Sequence, residues 1–110
     1  GDDVWCEMPI TVAQAMLGAE VTVPTLDGKV SYAVHEGTQP GDVFKLKGKG
    51  IPHLNGRGRG DQYVKVNIEI PRNLNAKQKK TVSELDEILT DKNYAKQRTF
   101  REKLKKLFGD

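Results

Sequence analysis

Apolar residues in this chain recur at every second position through Val64, Val66, Ile68 and Ile70, and every third or fourth position from Val82 onward, with Pro71 between the two regimes. Period two puts one face of a strand on a core, whereas a period near 3.6 puts one stripe of a helix there. A chain carrying both in succession folds as strands followed by helices. The change falls just after residue 73, so the expected organisation is a β domain over residues 1–73 and a helical tail over residues 74–110. A length of 110 residues allows about one domain with a single core.

The elements follow from local signals. Val4, Cys6 and Met8 alternate with Trp5 and Glu7 as a strand that Pro9 is expected to end. Thr11 with Gln14 three residues on forms a capping box for the short helix "VAQAML", which Gly18 closes. "EVTVP" and "KVSYAVH" read as a hairpin in which Asp27-Gly28 supplies the positive φ angles of the turn. "EGTQPGD" is turn-rich, and "VFKLK" and "QYVKVNIEIP" are further strands. Short strands with one early helix predict a mainly β fold, a two-sheet β-sandwich, rather than βαβ units. In the tail, Asn75 and Gln78 cap a helix whose Val82, Leu85, Ile88 and Leu89 form one stripe. "TDKNYAKQR" is read as an interruption. Thr99 with Glu102 then predicts a second box before a last helix bearing Phe100, Leu104, Leu107 and Phe108 opposite Arg101, Lys103, Lys105 and Lys106.

Charge is uneven. Ten Lys/Arg stand against six Asp/Glu in residues 75–110, and eight against nine in residues 1–74. A near-neutral body with a basic tail gives little support to a nucleic-acid or membrane-surface partner. Cys6 is the single cysteine, which excludes an internal disulfide and a thiolate-rich metal site and fits a reducing compartment. No apolar run nears the roughly 20 residues of a bilayer span and no signal-peptide pattern is present, so a soluble, cytoplasmic chain is expected. The opening "GDDVWCEMPI" lacks Met and runs straight into alternation, which leads to the expectation of a piece of something longer.

The segment "KGKGIPHLNGRGRGDQ" invites a phosphate-cradle reading, with Gly48, Gly50, Gly56, Gly58 and Gly60 among Lys47, Lys49, Arg57 and Arg59. A P-loop needs Gly-Lys followed by Ser or Thr between a strand and a helix, and a dinucleotide fingerprint needs a helix after its glycines. Neither context is present, because a strand follows. The segment is expected to be a structural loop in which Gly48, Gly50, Gly58 and Gly60 take unusual backbone angles, and Asp61 pairs with Arg57 or Arg59.

That segment, continued as "KLKGKGIPHLNGRGRGDQYVKVNIEIP", resembles the second C-terminal domain of DnaJ-type (J-domain, heat-shock) co-chaperones. "VWCEMPITVAQAMLGAEVTVPTLDGKV" is similar to the beginning of that domain and "EGTQPGDVF" to its middle connection, in the right order. The tail "RTFREKLKKLFGD" resembles the closing helix of bacterial members more loosely. The resemblance implies a module that holds unfolded polypeptide clients for delivery to a DnaK-type chaperone in folding and the heat response. The family's His-Pro-Asp has no counterpart, since neither His35 nor His53 is followed by Pro-Asp. Its four Cys-x-x-Cys-x-Gly-x-Gly repeats are also absent, so no cofactor is expected here and zinc belongs to the missing Cys-rich region of the parent.

Two roles are expected from the resemblance. Clients add as an extended strand, and by analogy with the first C-terminal domain the positions here are Val21, Val23, Leu26 and Val30; the competing reading is that these valines are simply core. The tail is expected to form a homodimer through Phe100, Leu104, Leu107 and Phe108. Burying them at ~2 kcal/mol each gives about 16 kcal/mol for a symmetric pair. Association costs ~4 to 15 kcal/mol. The opposing reading folds the helix back on its own chain.

Other classes are weaker. His35, Glu36, Ser31 and Asp42 are close in sequence but show neither a nucleophile beside a base nor an oxyanion site, so no catalytic residue is expected. A basic nucleic-acid-binding β module is the alternative: Lys45, Lys47, Lys49, Arg57, Arg59 and Lys65 would carry a phosphate backbone and Tyr63 would stack a base.

Overall fold

The computed structural model describes residues 3–51 and 60–109. Contacts divide the chain into two compact units, Gly1–Pro71 and Arg72–Asp110. The first holds β1 (Val4–Thr11), α1 (Val12–Leu17), β2 (Ala19–Thr25), β3 (Gly28–Val34), β4 (Val43–Leu46) and β5 (Gln62–Glu69). The second holds α2 (Ala76–Ile88), a single 3₁₀ turn (Asp91–Asn93) and α3 (Ala95–Phe108). Among the described residues helices are as extensive as strands, so the fold is mixed, with the described strands confined to the first unit.

The strands form two small sheets. One has the order β1-β5-β4, with β1 parallel and β4 antiparallel to β5, and the other is the antiparallel pair β2-β3. Ile10, Ala15, Val34 and Val66 form one buried cluster, with Met8, Val21, Tyr32, Phe44 and Ile68 packed against it, so both sheets and α1 supply the same core. Val23 and Val64 are also fully buried.

Several local readings are corrected. Pro9 does not end β1, which continues to Thr11 with Ile10 buried. Among the described residues β1 pairs on one side only, so a residue without an N–H is tolerated on its open edge. At the other end of the unit, β5 stops at Glu69 and Ile70 is exposed. In the hairpin turn only Gly28 has a positive φ, at 103°, and Asp27 does not. There the Asp27 N–H donates to Thr25 Oγ1 at 3.1 Å and the Thr25 hydroxyl donates to the Gly28 carbonyl at 2.6 Å, so the side chain of Thr25 shapes the turn.

The first capping box forms as expected, with Gln14 N donating to Thr11 Oγ1 and Thr11 N to Gln14 Oε1, both at 3.0 Å. At the other end of α1, Gly37 N and Thr38 N both donate to the Ala15 carbonyl, at 2.8 and 3.1 Å. The turn-rich connection after β3 therefore caps the C-terminus of α1.

In the second unit Asn75 and Gln78 cap α2 reciprocally at 2.8 Å. The box expected at Thr99 is not the start of α3, which begins at Ala95 and places Thr99 in its second turn. "AKQR" contains only good helix formers and nothing to break a helix before Thr99. The interruption shrinks to Leu89–Tyr94, where Thr90 N donates to Asn93 Oδ1 at 2.9 Å. Gly109 ends α3 in the left-handed region, with Lys105 and Lys106 in the last turn where cations favour the helix dipole.

Candidate functional site

The four positions read as client-binding lie on the β2-β3 pair with different exposures. Val23 is 0% exposed, and Val21 packs against the core. Both side chains are committed to the interior. Val30 pairs with Val23 across the hairpin and is half-buried, and Leu26 at the tip is 61% exposed.

Beside them, a feature that sequence reading missed opens between β3 and β4. It is a cleft of about 200 Å³ in which Tyr32, Val34, Phe44 and Val66 give an apolar lining and His35, Thr38 and Asp42 a polar one. The rings of Tyr32 and Phe44 stack there, with centroids 3.8 Å apart and planes within 8°. Tyr32 reaches the core-facing side because it shares a face with Val30 and Val34, with Ser31 and Ala33 on the other, and Phe44 because it alternates with Val43 and Lys45. That volume suits one or two side chains rather than a whole small molecule. Among the described residues β3 pairs only with β2, and β4 only with β5, so each strand beside the cleft has an edge open to a further strand.

The polar end of the cleft is held by its own bonds. Thr38 Oγ1 donates to the His35 carbonyl at 2.5 Å, and Gln39 N donates to Asp42 Oδ2 at 2.9 Å. Gly41 N donates to the Val66 carbonyl at 2.8 Å and Val66 N to the Asp42 carbonyl at 2.7 Å, which ties the connection to β5. Ser31, His35, Glu36 and Asp42 make no nucleophile-base pair among these bonds.

The glycine-rich segment is closed at its neck. Gly50 N donates to the Gly60 carbonyl at 2.9 Å and Gly60 N to the Ile51 carbonyl at 3.1 Å, with both glycines buried. Gly48 has a φ of 72°, and its N–H donates to Asp61 Oδ1 at 2.7 Å. These N–H groups are thus occupied by the chain itself rather than presented to a phosphate. Asp61 also stands 4.0 Å from Lys45 Nζ, its N–H donates to Asp3 Oδ1 and its carbonyl accepts from Val4 N. Gly58, with Arg57 and Arg59, the expected partners of Asp61, and His53 lie outside the described residues. Asp61→Ala removes a charge-assisted acceptor and should cost about 1 to 2 kcal/mol, with Asp61→Asn milder. Urea unfolding of the two variants checks this.

The outer face of the three-stranded sheet bears on the nucleic-acid reading. Tyr63 stacks on Trp5, with centroids 4.7 Å apart, and Trp5 is 62% exposed. Lys49 Nζ is 3.7 Å from Asp27 Oδ2, as Lys45 is near Asp61. The ring proposed for base stacking and two of the proposed phosphate contacts therefore already have partners. Cys6 is half-buried and its Sγ accepts from Gln62 Nε2 at 3.5 Å. Among the described residues no three His, Cys, Asp or Glu gather in one place. No described helix is long and apolar enough to cross a membrane.

In the tail, Phe100, Leu104, Leu107 and Phe108 are all exposed, as are Val82, Leu85 and Ile88 on α2. The ion pair between Arg101 and Asp91, at 3.0 Å, ties the first half of α3 to the 3₁₀ turn.

Residues 1–71 match the family described as the DnaJ C terminal domain. The chain belongs to that family. It is 60% identical over 108 residues to the Chaperone protein DnaJ of Ruminiclostridium cellulolyticum, covering 98% of this chain and 28% of that relative. It is 57% identical to the Chaperone protein DnaJ of Acetivibrio thermocellus over 99% of this chain and 28% of the relative. With that of Halothermothrix orenii it shares 51% over 98% of this chain and 29% of the relative. The chain thus spans under a third of the length of these curated relatives. It is a DnaJ-type chaperone C-terminal domain, and the tail beyond residue 71 has its counterpart in the same DnaJ relatives.

Proposed function

We propose that residues 1–71 hold extended, non-native polypeptide by strand addition, that residues 72–110 join two copies, and that the longer protein passes its clients to a DnaK-type chaperone. The observation that carries this reading is the open edge of β3 beside the cleft over Tyr32 and Phe44. Main-chain hydrogen bonds to such an edge demand no particular client sequence, and a small apolar cleft selects an apolar side chain at alternate positions. That combination suits a partner recognised for being unfolded. Leu26 at the hairpin tip extends the apolar surface available to a client, and Val21 and Val23 hold β2 in place behind it.

Amide chemical shifts of the labelled chain, titrated with an extended apolar peptide, test the first role. The expected result is movement confined to residues 28–35 and 42–46, and binding about tenfold or more weaker for the same peptide N-methylated at alternate residues. Equal binding of the two peptides would overturn strand addition. Shifts at Lys45, Tyr63 and Lys65 produced by single-stranded oligonucleotide, steeply weakened by salt, would favour the nucleic-acid reading instead. Sedimentation of the chain with and without residues 93–110 tests the second role. A monomer at tens of micromolar in both cases would exclude it.

A further inference from the structure

We infer that α3 docks in the headgroup layer of a membrane that carries anionic lipid, with its apolar face among the acyl chains. The charge balance of the whole chain gives little support to such a partner, because it averages over both units. On α3 alone six Lys and Arg stand against one Glu over 14 residues. None of its residues is buried, and Phe100, Leu104, Leu107 and Phe108 are all exposed.

The order of residues sorts charge around the helix axis. At roughly 100° per residue, Phe100, Leu107 and Phe108 fall within about 60° of Leu104, and Gln97 joins them in the first turn. Lys96 and Lys103 fall together on one rim of that face, and Arg98 and Lys105 on the other. Glu102 falls on the opposite side, with Lys106. Arg101, beside the apolar face, is already paired with Asp91 at 3.0 Å and is left out of the count. An apolar sector with cations along both rims is what a helix lying in a membrane interface requires. The long stems run along the apolar side and set their charges among lipid phosphates. α2 has an equally open stripe in Val82, Leu85 and Ile88, but each of its rims holds both signs, Lys77 with Glu84 and Lys79 with Asp86. The two helices therefore differ in how charge is sorted and not in apolar exposure.

Charge complementarity selects the occupant. Anionic headgroups neutralise both rims of α3 at once, whereas a second α3 laid face to face would set cation against cation along them. Phe100 also lies in an open hollow of about 280 Å³ bordered by Lys96 and Lys103, which suits an acyl chain below its phosphate. The helix spans about 21 Å, short of the ~30 Å of a hydrocarbon core, so it lies along the surface and does not cross. The apolar face is the one assigned above to the dimer, so lipid competes with the second copy for it.

Co-flotation of the full chain with vesicles at low salt tests the proposal, using phosphatidylcholine alone and phosphatidylcholine mixed equally with phosphatidylglycerol. The mixed vesicles should bind at least about tenfold more tightly, since each cation near an anionic surface contributes roughly fivefold. Lys103→Gln with Lys105→Gln should weaken that binding by about tenfold or more, and Lys103→Arg with Lys105→Arg should keep it. The same loss of charge on α2, in Lys77→Gln with Lys79→Gln, should change it far less. Circular dichroism checks that the helices persist in each variant. Equal binding to the two kinds of vesicle, equal loss from the α2 and α3 changes, or no binding by the wild type would each overturn the proposal. Sedimentation of the Lys103→Gln, Lys105→Gln variant, whose apolar face is intact, reads the dimer separately, so either reading can fail without the other.

Discussion

Gly18→Ala should destabilise the first unit by about 3 kcal/mol or more, read as a fall in urea midpoint with little change in slope. Gly18 has φ 78° and ψ 158°, a region that is essentially closed to residues with a Cβ. Space is closed as well. A Cβ there would meet the Val34 carbonyl oxygen at 2.9 Å and the Glu36 amide nitrogen at 3.1 Å, both backbone atoms that cannot rotate away. Gly41 separates the two costs, since its φ is 87° and nothing lies within 4 Å of a Cβ placed on it. Gly41→Ala should therefore lose only about 1 kcal/mol, the cost of a positive φ. Equal losses in the two variants would show that the approach of Gly18 to β3 contributes nothing. Because the atoms it crowds belong to Val34 and Glu36, on either side of His35, Gly18→Ala should also weaken peptide binding at the cleft, whereas Gly41→Ala tests only the connection.

Gly18 also marks how far the sequence could be read. That a glycine ends "VAQAML" is legible, because the apolar pattern stops there. Its ψ is not legible, because it is set by the end of β3, which sequence proximity does not place beside it. Signals that act within four residues were read correctly in the boxes at Thr11 and Asn75, the extent of α1 and the site of the hairpin. Two local signals were misread as well: the pair Thr99 and Glu102 looks like a box although α3 already runs from Ala95, and Asp27 looks like a positive-φ residue although Thr25, two residues away, bonds the turn. Other errors came where a distant neighbour decides, as at Pro9, which looks like a strand breaker until β1 is known to be an edge. The parallel pairing of β1 with β5 joins residues 58 apart, such as Val4 and Gln62, and no local period encodes that. The cleft was missed for the same reason. Tyr32 and Phe44 each read as ordinary strand residues, and only the meeting of two sheets makes them one surface. Val23 was legible as core from its alternation alone, the reading that competed there with a client role, and it is fully buried.

Gln62→Ala should cost the first unit about 3 kcal/mol, although a glutamine at the start of a strand reads as solvent-facing. Gln62 is 3% exposed, the one buried polar side chain among the described residues. Its Nε2 donates to the Pro24 carbonyl on β2 at 3.0 Å and lies 3.5 Å from Cys6 Sγ on β1. The side chain thus spans the two sheets and satisfies a main-chain acceptor on the far one. Truncation leaves that carbonyl without its partner, which costs about 1 to 3 kcal/mol, and opens a cavity beside Cys6 on top of it. Gln62→Leu fills most of the volume and restores none of the hydrogen bonding, so it should lose about 1 to 2 kcal/mol and isolate the polar part. Thermal melts of the two variants against wild type give the comparison. If Leu proved as stable as Gln, the bridge to Pro24 would add nothing to stability. The amide shifts of residues 19–34 in that same variant would then show whether the bond instead fixes how the β2-β3 pair sits on its neighbour, the arrangement on which the cleft over Tyr32 and Phe44 depends.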